Sequence, residues 1–524
     1  MKTKIFNALI VDGSGGEGYT GELLFEDGTI TAAAPAVTAK ADHNIDAGGK
    51  VVCPGFIDMH RHCDAAVFRP QFGGLELAQG ITSTVAGNCG STLAPSKDSD
   101  REKLFKMISA SAGSINLDPL PESFRDFMAL LRKQTLPINL GMFAGTRTTR
   151  IYVKGFETTP FSGDEMKKME KLLTEALEAG ALGLSMGIMF HPECFGTTEE
   201  FIRMASPLHG TGKPLAIHIR GEGNSMVDSI REVIEIGRNA NVPVHVSHFK
   251  SAGANNWRKA VPEAIALIEK ARESHDVTVD FYPYTGSSTN ILTLVPPAFL
   301  GSDWLAAIRS LGSSAGLDRF KTSLEEENKG WDNFVKMLGW DRIYVSALRK
   351  RPDAAGKSIA ELAGNGDPTE YAAELMLEEE GQIAIIVQSM CQDDIDTIAK
   401  LPYSSVISDS LYVNTNFPHP RLYGSFPRII REYVNERGVL TLGNAIKKMT
   451  SMPAGRMNLK TKGLLRAGYD ADILIFDIPS FRDNASFSDP VKPATGLSSV
   501  ILGGEIVYHD GNLRKKNCGS VFLG

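Results

Sequence analysis

Short apolar runs of strand length alternate along this chain with longer stretches whose apolar positions recur every three or four residues. Eight runs read as core strands: 55–60, 81–87, 138–145, 180–188, 214–220, 242–248, 277–284 and 404–409. They are almost continuously apolar, as strands covered on both faces are. Between them, 163–180, 225–240 and 257–275 carry the spacing of amphipathic helices. Strands alternating with helices eight times over predict an α/β fold, a (β/α)8 TIM-type barrel.

Two features exceed a plain barrel. The seventh and eighth strands are separated by residues 285–403, more than one helix needs, which predicts an insertion at about 286–400. Within it, 342–347 and 383–388 have strand character. Both ends of the chain are β-like without helices, at 4–13, 21–34, 470–477 and 498–511. A sheet needs a covered face. The termini are therefore expected to form one small discontinuous β-sandwich domain, 1–53 with 459–524, beside a catalytic barrel spanning 54–458.

Composition narrows the function classes. Of 524 residues, 42% are hydrophobic and 22% charged, with a net charge of −7 and both signs scattered. That describes a globular chain with no basic groove for nucleic acid and no polybasic membrane patch. No apolar run is long enough to cross a bilayer, and the first residues, MKTKIFNALIVDGSGG, read as strand and turn rather than signal peptide. Six cysteines are too sparse for a disulfide scaffold, so a reduced, cytoplasmic protein is expected. Oligomeric state is not legible.

Barrel sites lie at the C-terminal ends of the strands. Strand one ends in His60 and His62, whose i, i+2 spacing puts both imidazoles on one face. Strand two runs into Cys89, strand five carries His218, strand six ends in His248 and strand eight in Asp409. Imidazoles, a thiol and a carboxylate suit one or two Zn2+ ions. A lone histidine at a strand end is usually only a satisfied polar residue, and Cys89 alone could be a small core hydrophobe. The set outweighs its members because a barrel gathers them. Cys63 has the opposite parity to the two histidines and reads as structural. His245 and His248 also differ in parity, which predicts that one of them faces the helices, and His248 is nearer the strand end. His43, His209, His275 and His509 have no comparable setting.

The chain resembles the amidohydrolase superfamily, in its D-aminoacylase (N-acyl-D-amino-acid deacylase) branch. The resemblance rests on 54-PGFIDMHRH-62, 87-GNCG-90, 218-HIRGEG-223, 246-VSHFK-250, 280-DFYPYTGSST-289, 419-HPRLYGSFPRII-430 and 463-GLLRAGYDADILIFD-477. It implies Cys89, His218 and His248 as ligands of a tighter zinc, and His60 and His62 with Asp409 as a weaker second site. Strand four, in 182-LGLSMGIMFH-191, lacks the lysine that bridges two metals in many superfamily members, and Cys89 takes that place. Arg61 and Cys63 depart from the pattern of smaller or acidic residues at that turn.

Such a site implies amide hydrolysis. Zinc lowers the pKa of bound water from about 15.7 to about 7, so hydroxide forms at neutral pH. Asp409 is the expected general base and acid. The resemblance assigns Lys250, Tyr282 and Arg421 to the substrate carboxylate, all facing the barrel mouth, with hydroxyl contacts from Ser287 and Ser288. The apolar, cation-free segment 289–300 predicts neutral or hydrophobic side chains in the N-acyl-D-amino acid. The D preference rests on resemblance alone. A cyclic-amide hydrolase of the dihydroorotase or hydantoinase kind is the alternative, disfavoured by Cys89 and the 419–428 loop. A non-catalytic scaffold is disfavoured because every expected ligand position is filled.

Overall fold

The computed structural model describes residues 1–112, 117, 119–326 and 330–524. Its centre is a set of parallel strands. The first, Phe56–Asp58, pairs with the second, Ile81–Ala86, which pairs with the third, Asn139–Met142. The third resumes as Ala144–Gly145 and passes pairing to the fourth, Leu184–Gly187. The fifth (Leu215–His218), sixth (Val244–Val246), seventh (Val277–Phe281) and eighth (Ser404–Val406) follow in order. The eighth continues as Ser410–Leu411, parallel to Arg61–His62 at the end of the first, and Asp409 N donates to His60 O over 2.9 Å. Pairing thus travels round to where it began, as the eightfold alternation of strands and helices predicts.

Outer helices follow local rules. Gly163–Glu178 starts at a capping box, with Ser162 Oγ accepting from Glu165 N, and buries Met166, Met169, Leu173, Ala176 and Leu177 at spacings of three and four. Met226–Ala240 stops at Asn241, which takes the left-handed φ of 53° that ends helices. Ala260–Arg272 packs against the seventh strand and against Met226–Ala240.

After the seventh strand the chain leaves the ring. Ser287–Asn290, Ile343–Ala347 and Ala384–Val387 form an antiparallel sheet with Ala384–Val387 in the middle; the helix Ile359–Ala363 packs against Ile343–Ala347, and the helices Trp304–Ser310 and Pro368–Glu378 pack on each other.

The two termini share a nine-stranded sheet. Its seam is Val51–Pro54 running antiparallel to Ile473–Phe476. The long runs at 21–34 and 498–511 each split into a hairpin. Asp27 and Gly28 have φ of 47° and 81°, and Gly503 and Gly504 have φ of 56° and 83°. Two successive positive φ values make the tight turn whose twist matches paired strands. The sheet curls so that these turns meet: a β-carbon on Gly28 would sit 2.9 Å from Gly503 O. One face encloses Ile5, Leu23, Phe25, Ile30, Val52, Ile473, Ile475 and Ile501 as a private core. The other joins the main core through Val51, Cys53, Leu474 and Phe476. The last residues leave the sheet and lie along the third barrel strand, with Leu140 N donating to Ser520 O and Phe522 N to Leu140 O. Among the described residues no helix is long and apolar enough to cross a membrane.

Candidate metal centre

At the C-terminal end of the ring, side chains from the first, second, fifth, sixth and eighth strands converge. Cys89 Sγ lies 3.4 Å from His60 Nε2, 3.5 Å from His248 Nε2 and 3.7 Å from His218 Nδ1. His218 Nδ1 and His248 Nε2 are 2.8 Å apart. Asp409 Oδ1 lies 3.5 Å from His60 Nε2 and 3.3 Å from His62 Nε2. Three overlapping triads have donor atoms within 4.8 Å of one another: His60–Cys89–His248, His60–His62–Asp409 and His218–Glu222–His248. Soft sulfur, imidazole nitrogen and carboxylate oxygen at this spacing form a donor set that zinc accepts.

The backbone is bent to achieve this. Cys89, His248 and Asp409 have φ of 53°, 35° and 49°, in the left-handed region non-glycine residues rarely occupy. Each such residue costs about 1–3 kcal/mol, and such strain concentrates at functional sites. Gly90 follows Cys89 with φ of 72°, and a β-carbon there would lie 2.6 Å from Glu193 Oε2 and 2.8 Å from Gly187 N. Only glycine lets the cysteine loop pass so close to the fourth strand.

A ring of carboxylates aims the imidazoles. Asp280 Oδ2 lies 3.4 Å from His60 Nδ1 and 2.8 Å from His245 Nε2, and Asp280 Oδ1 accepts from His248 N. Glu222 Oε1 lies 3.1 Å from His248 Nδ1 and pairs with Lys250 Nζ. A carboxylate at the far nitrogen turns the other nitrogen, with its lone pair, toward the shared centre. Strand parity predicts that His245 or His248 faces the helices. Instead both rings lie inside: that of His245 meets Asp280 Oδ2 and that of His248 meets Cys89 and Glu222, and the positive φ at His248 marks where the regular alternation stops.

Electrostatics follow the geometry. Burial opposes ionisation of Cys89, yet the charge of His60 and hydrogen bonds with His218 and His248 hold its thiol well below the usual range. Burial likewise disfavours the Asp409 carboxylate, but Arg421, 2.8 Å from Oδ2, and His62 keep it well below an ordinary carboxyl. Against burial, the hydrogen bond to Asp409 and the neighbouring Cys89 raise His62 to about 9.

The unexpected Arg61 lies outside this cluster. It is wholly buried, 3.2 Å from Asp58, 3.1 Å from Glu76, 3.2 Å from Ser408 Oγ and 2.7 Å from Tyr412 Oη. It ties the first strand to the eighth where the ring closes. Cys63 is fully buried and outside the cluster.

A cleft of about 1160 Å3, open to solvent, rises from the cluster. Lys250, Ser287 and Ser288 line it, with Leu292, Val295, Pro297 and Leu300 from the insertion. Tyr282 and Arg421, expected at the mouth, are instead buried outside the lining, because the charge of Asp409 and the face of Tyr282 draw the guanidinium inward, its carbon 4.8 Å from the ring centroid. Tyr282 Oη and Arg421 Nε are buried donors without a hydrogen-bond partner among the described residues.

Several residues of the site carry no sequence signal of their own. Asp280 and Glu222 stand inside quoted motifs, but nothing in their spacing declares which histidine each orients. Met189, with Sδ 3.1 Å from His218 Nε2, and Arg147 and His191 in the cleft wall are brought in by the fold.

A family model described as the amidohydrolase family matches residues 44–188 and 367–508. The chain belongs to the amidohydrolase family, in its D-aminoacylase branch, and is an enzyme of the amidohydrolase class. It is 30% identical over 512 residues to a D-aminoacylase of Alcaligenes xylosoxydans xylosoxydans, covering 98% of this chain and 95% of that one. It is 31% identical to an N-acyl-D-glutamate deacylase of the same organism, over 95% of this chain and 92% of the other. The structure of an N-acyl-D-glutamate deacylase from Bordetella bronchiseptica, complexed with zinc and a phosphonate inhibitor, superposes with a TM-score of 0.84. There the identity is 28%, over 100% of this chain and 99% of that one.

Proposed function

We propose that this enzyme hydrolyses the amide bond of N-acyl-D-amino acids with neutral or hydrophobic side chains, releasing a carboxylate and a free D-amino acid. What carries the reading is the convergence of Cys89, four histidines and Asp409 on one buried centre beneath a mostly apolar cleft. Cys89, His218 and His248 would hold the tighter Zn2+, and His60 and His62 with Asp409 a weaker second one. A divalent cation bound there supplies Lewis acidity toward the amide carbonyl and toward water.

The chain's own residues do the rest. Asp409, kept ionised by Arg421, accepts a proton from the attacking water at Oδ1 and returns it to the leaving nitrogen. Glu222 and Asp280 hold the rings of His248 and His60 in place. Lys250 and Ser287 line the cleft and would receive the α-carboxylate, with Tyr282 and Arg421, set behind the lining residues Asp409 and Ser288, as its inner donors. The unpartnered Tyr282 hydroxyl and Arg421 Nε support this, because buried donors call for an acceptor. Leu292, Val295, Pro297 and Leu300 favour a side chain without charge. In this reading residues 54–458 carry the chemistry, while the 1–53 and 459–524 sheet braces the barrel. Six free cysteines suit a reducing cytoplasm.

The test is a panel of D and L N-acyl amino acids and one hydantoin, assayed with and without chelator. Turnover of N-acetyl-D-methionine above its L form, above N-acetyl-D-glutamate and above the hydantoin is expected, abolished by chelator and restored by zinc. Faster opening of the hydantoin, or chelator-resistant activity, overturns the proposal.

A further inference from the structure

Two permanent cations line the cleft, and they are provided for differently. Lys250 is matched by Glu222. Arg147 has no acid within ion-pair distance among the described residues. Its Nε donates to His191 O over 2.9 Å and its Nη1 to Ser91 Oγ over 3.0 Å, which fixes the plane of the guanidinium. Its Nη2 has no partner among the described residues. Its carbon lies 5.4 Å from the Phe190 ring centroid. The neighbouring acid, Glu193, is engaged elsewhere, with Thr146 Oγ1 and, over 2.7 Å, with Gly187 N.

The position is unfavourable for an unmatched cation. Arg147 is the second residue of the helix Thr146–Lys154, whose first turn contains no acidic residue. A helix presents its positive end there, so cations are disfavoured and anions welcomed. Burial lowers the pKa of Arg147 to about 10, which leaves it charged at neutral pH. A rigid fork with free donors, at the positive end of a helix and facing the cleft, is a receptor for a planar anion such as a carboxylate.

We propose that Arg147 is a specificity-determining residue that receives a second carboxylate of the substrate, carried by the acyl group. The substrate class is then an N-dicarboxylacyl-D-amino acid, of which N-succinyl-D-methionine is a simple member. This rests on the deacylase reading above, which assigns the α-carboxylate to Lys250, Tyr282, Arg421 and Ser287. The acyl group is the natural carrier, because the insertion wall that suits the side chain is apolar. Ser91, which holds the guanidinium, follows the candidate ligand Cys89 by two residues.

The test compares wild type, Arg147→Gln and Arg147→Lys on four amides: N-acetyl-D-methionine, N-succinyl-D-methionine, its succinyl monomethyl ester and N-acetyl-D-glutamate. Wild type is expected to favour the succinyl compound over its ester by about 10- to 100-fold in kcat/KM, as a charge-assisted hydrogen bond allows. Arg147→Gln should erase that preference with N-acetyl-D-methionine changed by less than about threefold, and Arg147→Lys should retain part of it. If the Arg147-dependent preference attaches to N-acetyl-D-glutamate instead, the carboxylate receptor stands and its ligand is the side chain. Equal effects of Arg147→Gln on all four amides, or none, overturn the inference. Calorimetric binding of succinate to the zinc-loaded enzyme separates the two readings. Succinate binding that weakens at least about tenfold in Arg147→Gln, in a wild type that cleaves no amide, sinks the deacylase reading and leaves the receptor. Active enzyme without Arg147-dependent discrimination does the reverse.

Discussion

Replacing Asp409 by asparagine tests the chemistry at its most exposed point. The side chain keeps its size, and asparagine tolerates the left-handed φ of 49° found there, so the backbone need not move. What disappears is the base, and with it the negative charge 2.8 Å from the buried Arg421. Loss of a positioned general base costs about 10^2- to 10^4-fold in kcat/KM, or about 3–5 kcal/mol of barrier. Stability falls too. Removing one partner of a buried ion pair costs about 3–5 kcal/mol, which is the ceiling here because the amide oxygen can still accept from Arg421. A double variant, Asp409→Asn with Arg421→Met, removes the orphaned guanidinium and should be more stable than the sum of the single losses by at least about 1 kcal/mol. The depressed carboxyl of Asp409 adds stability that is present above the ordinary carboxylate range and lost as pH falls below about 4, so the variant should show a flatter acid limb. The measurements are kcat/KM at saturating zinc, zinc content, and urea unfolding with chelator present. An Asp409→Asn enzyme with normal zinc and more than about a fifth of wild-type kcat/KM would remove Asp409 from the mechanism.

Three further outcomes follow from the same geometry. Asp280→Asn, which leaves three groups without their shared carboxylate, should lower zinc affinity or activity by about 10- to 100-fold, read by chelator competition; unchanged affinity and activity would show that Asp280 does not orient His60 and His248. Gly90→Ala forces a β-carbon to 2.6 Å from Glu193 Oε2 at a φ of 72°, so both melting temperature and zinc content should drop; a variant normal in both contradicts the close approach. Burial raises Glu193 to about 7, so wild type is stabilised most below the unfolded carboxyl range and loses about 3 kcal/mol as pH rises from about 4.5 through 7. Glu193→Gln should lose that slope and equal or exceed wild type above pH 7 in urea unfolding; parallel pH profiles would refute the raised carboxyl.

The hydrophobic pattern by itself determined the class of fold. Eight doubly covered strands must be apolar along their length, and helices packed on them must show a period near 3.6, so both signals are written locally. The hairpins at Asp27-Gly28 and Gly503-Gly504 were not read from the pattern: the runs around them are β-like throughout, and the paired positive φ values that turn the chain appear only in the structure. The strand-end histidines, Cys89 and Asp409 could be chosen because a barrel gathers strand ends wherever they fall in the chain. Other features arose only with tertiary structure. Parity ceased to apply at His248, where φ turns positive and the backbone N–H donates to Asp280 Oδ1. Arg61 became a strut, Arg421 turned inward to Asp409, and Arg147 emerged as the unmatched cation of the cleft. In each case the outcome depends on which charges come within about 4 Å across hundreds of residues of sequence. Coulomb energy falls with distance in space, and position along the chain carries no measure of that distance.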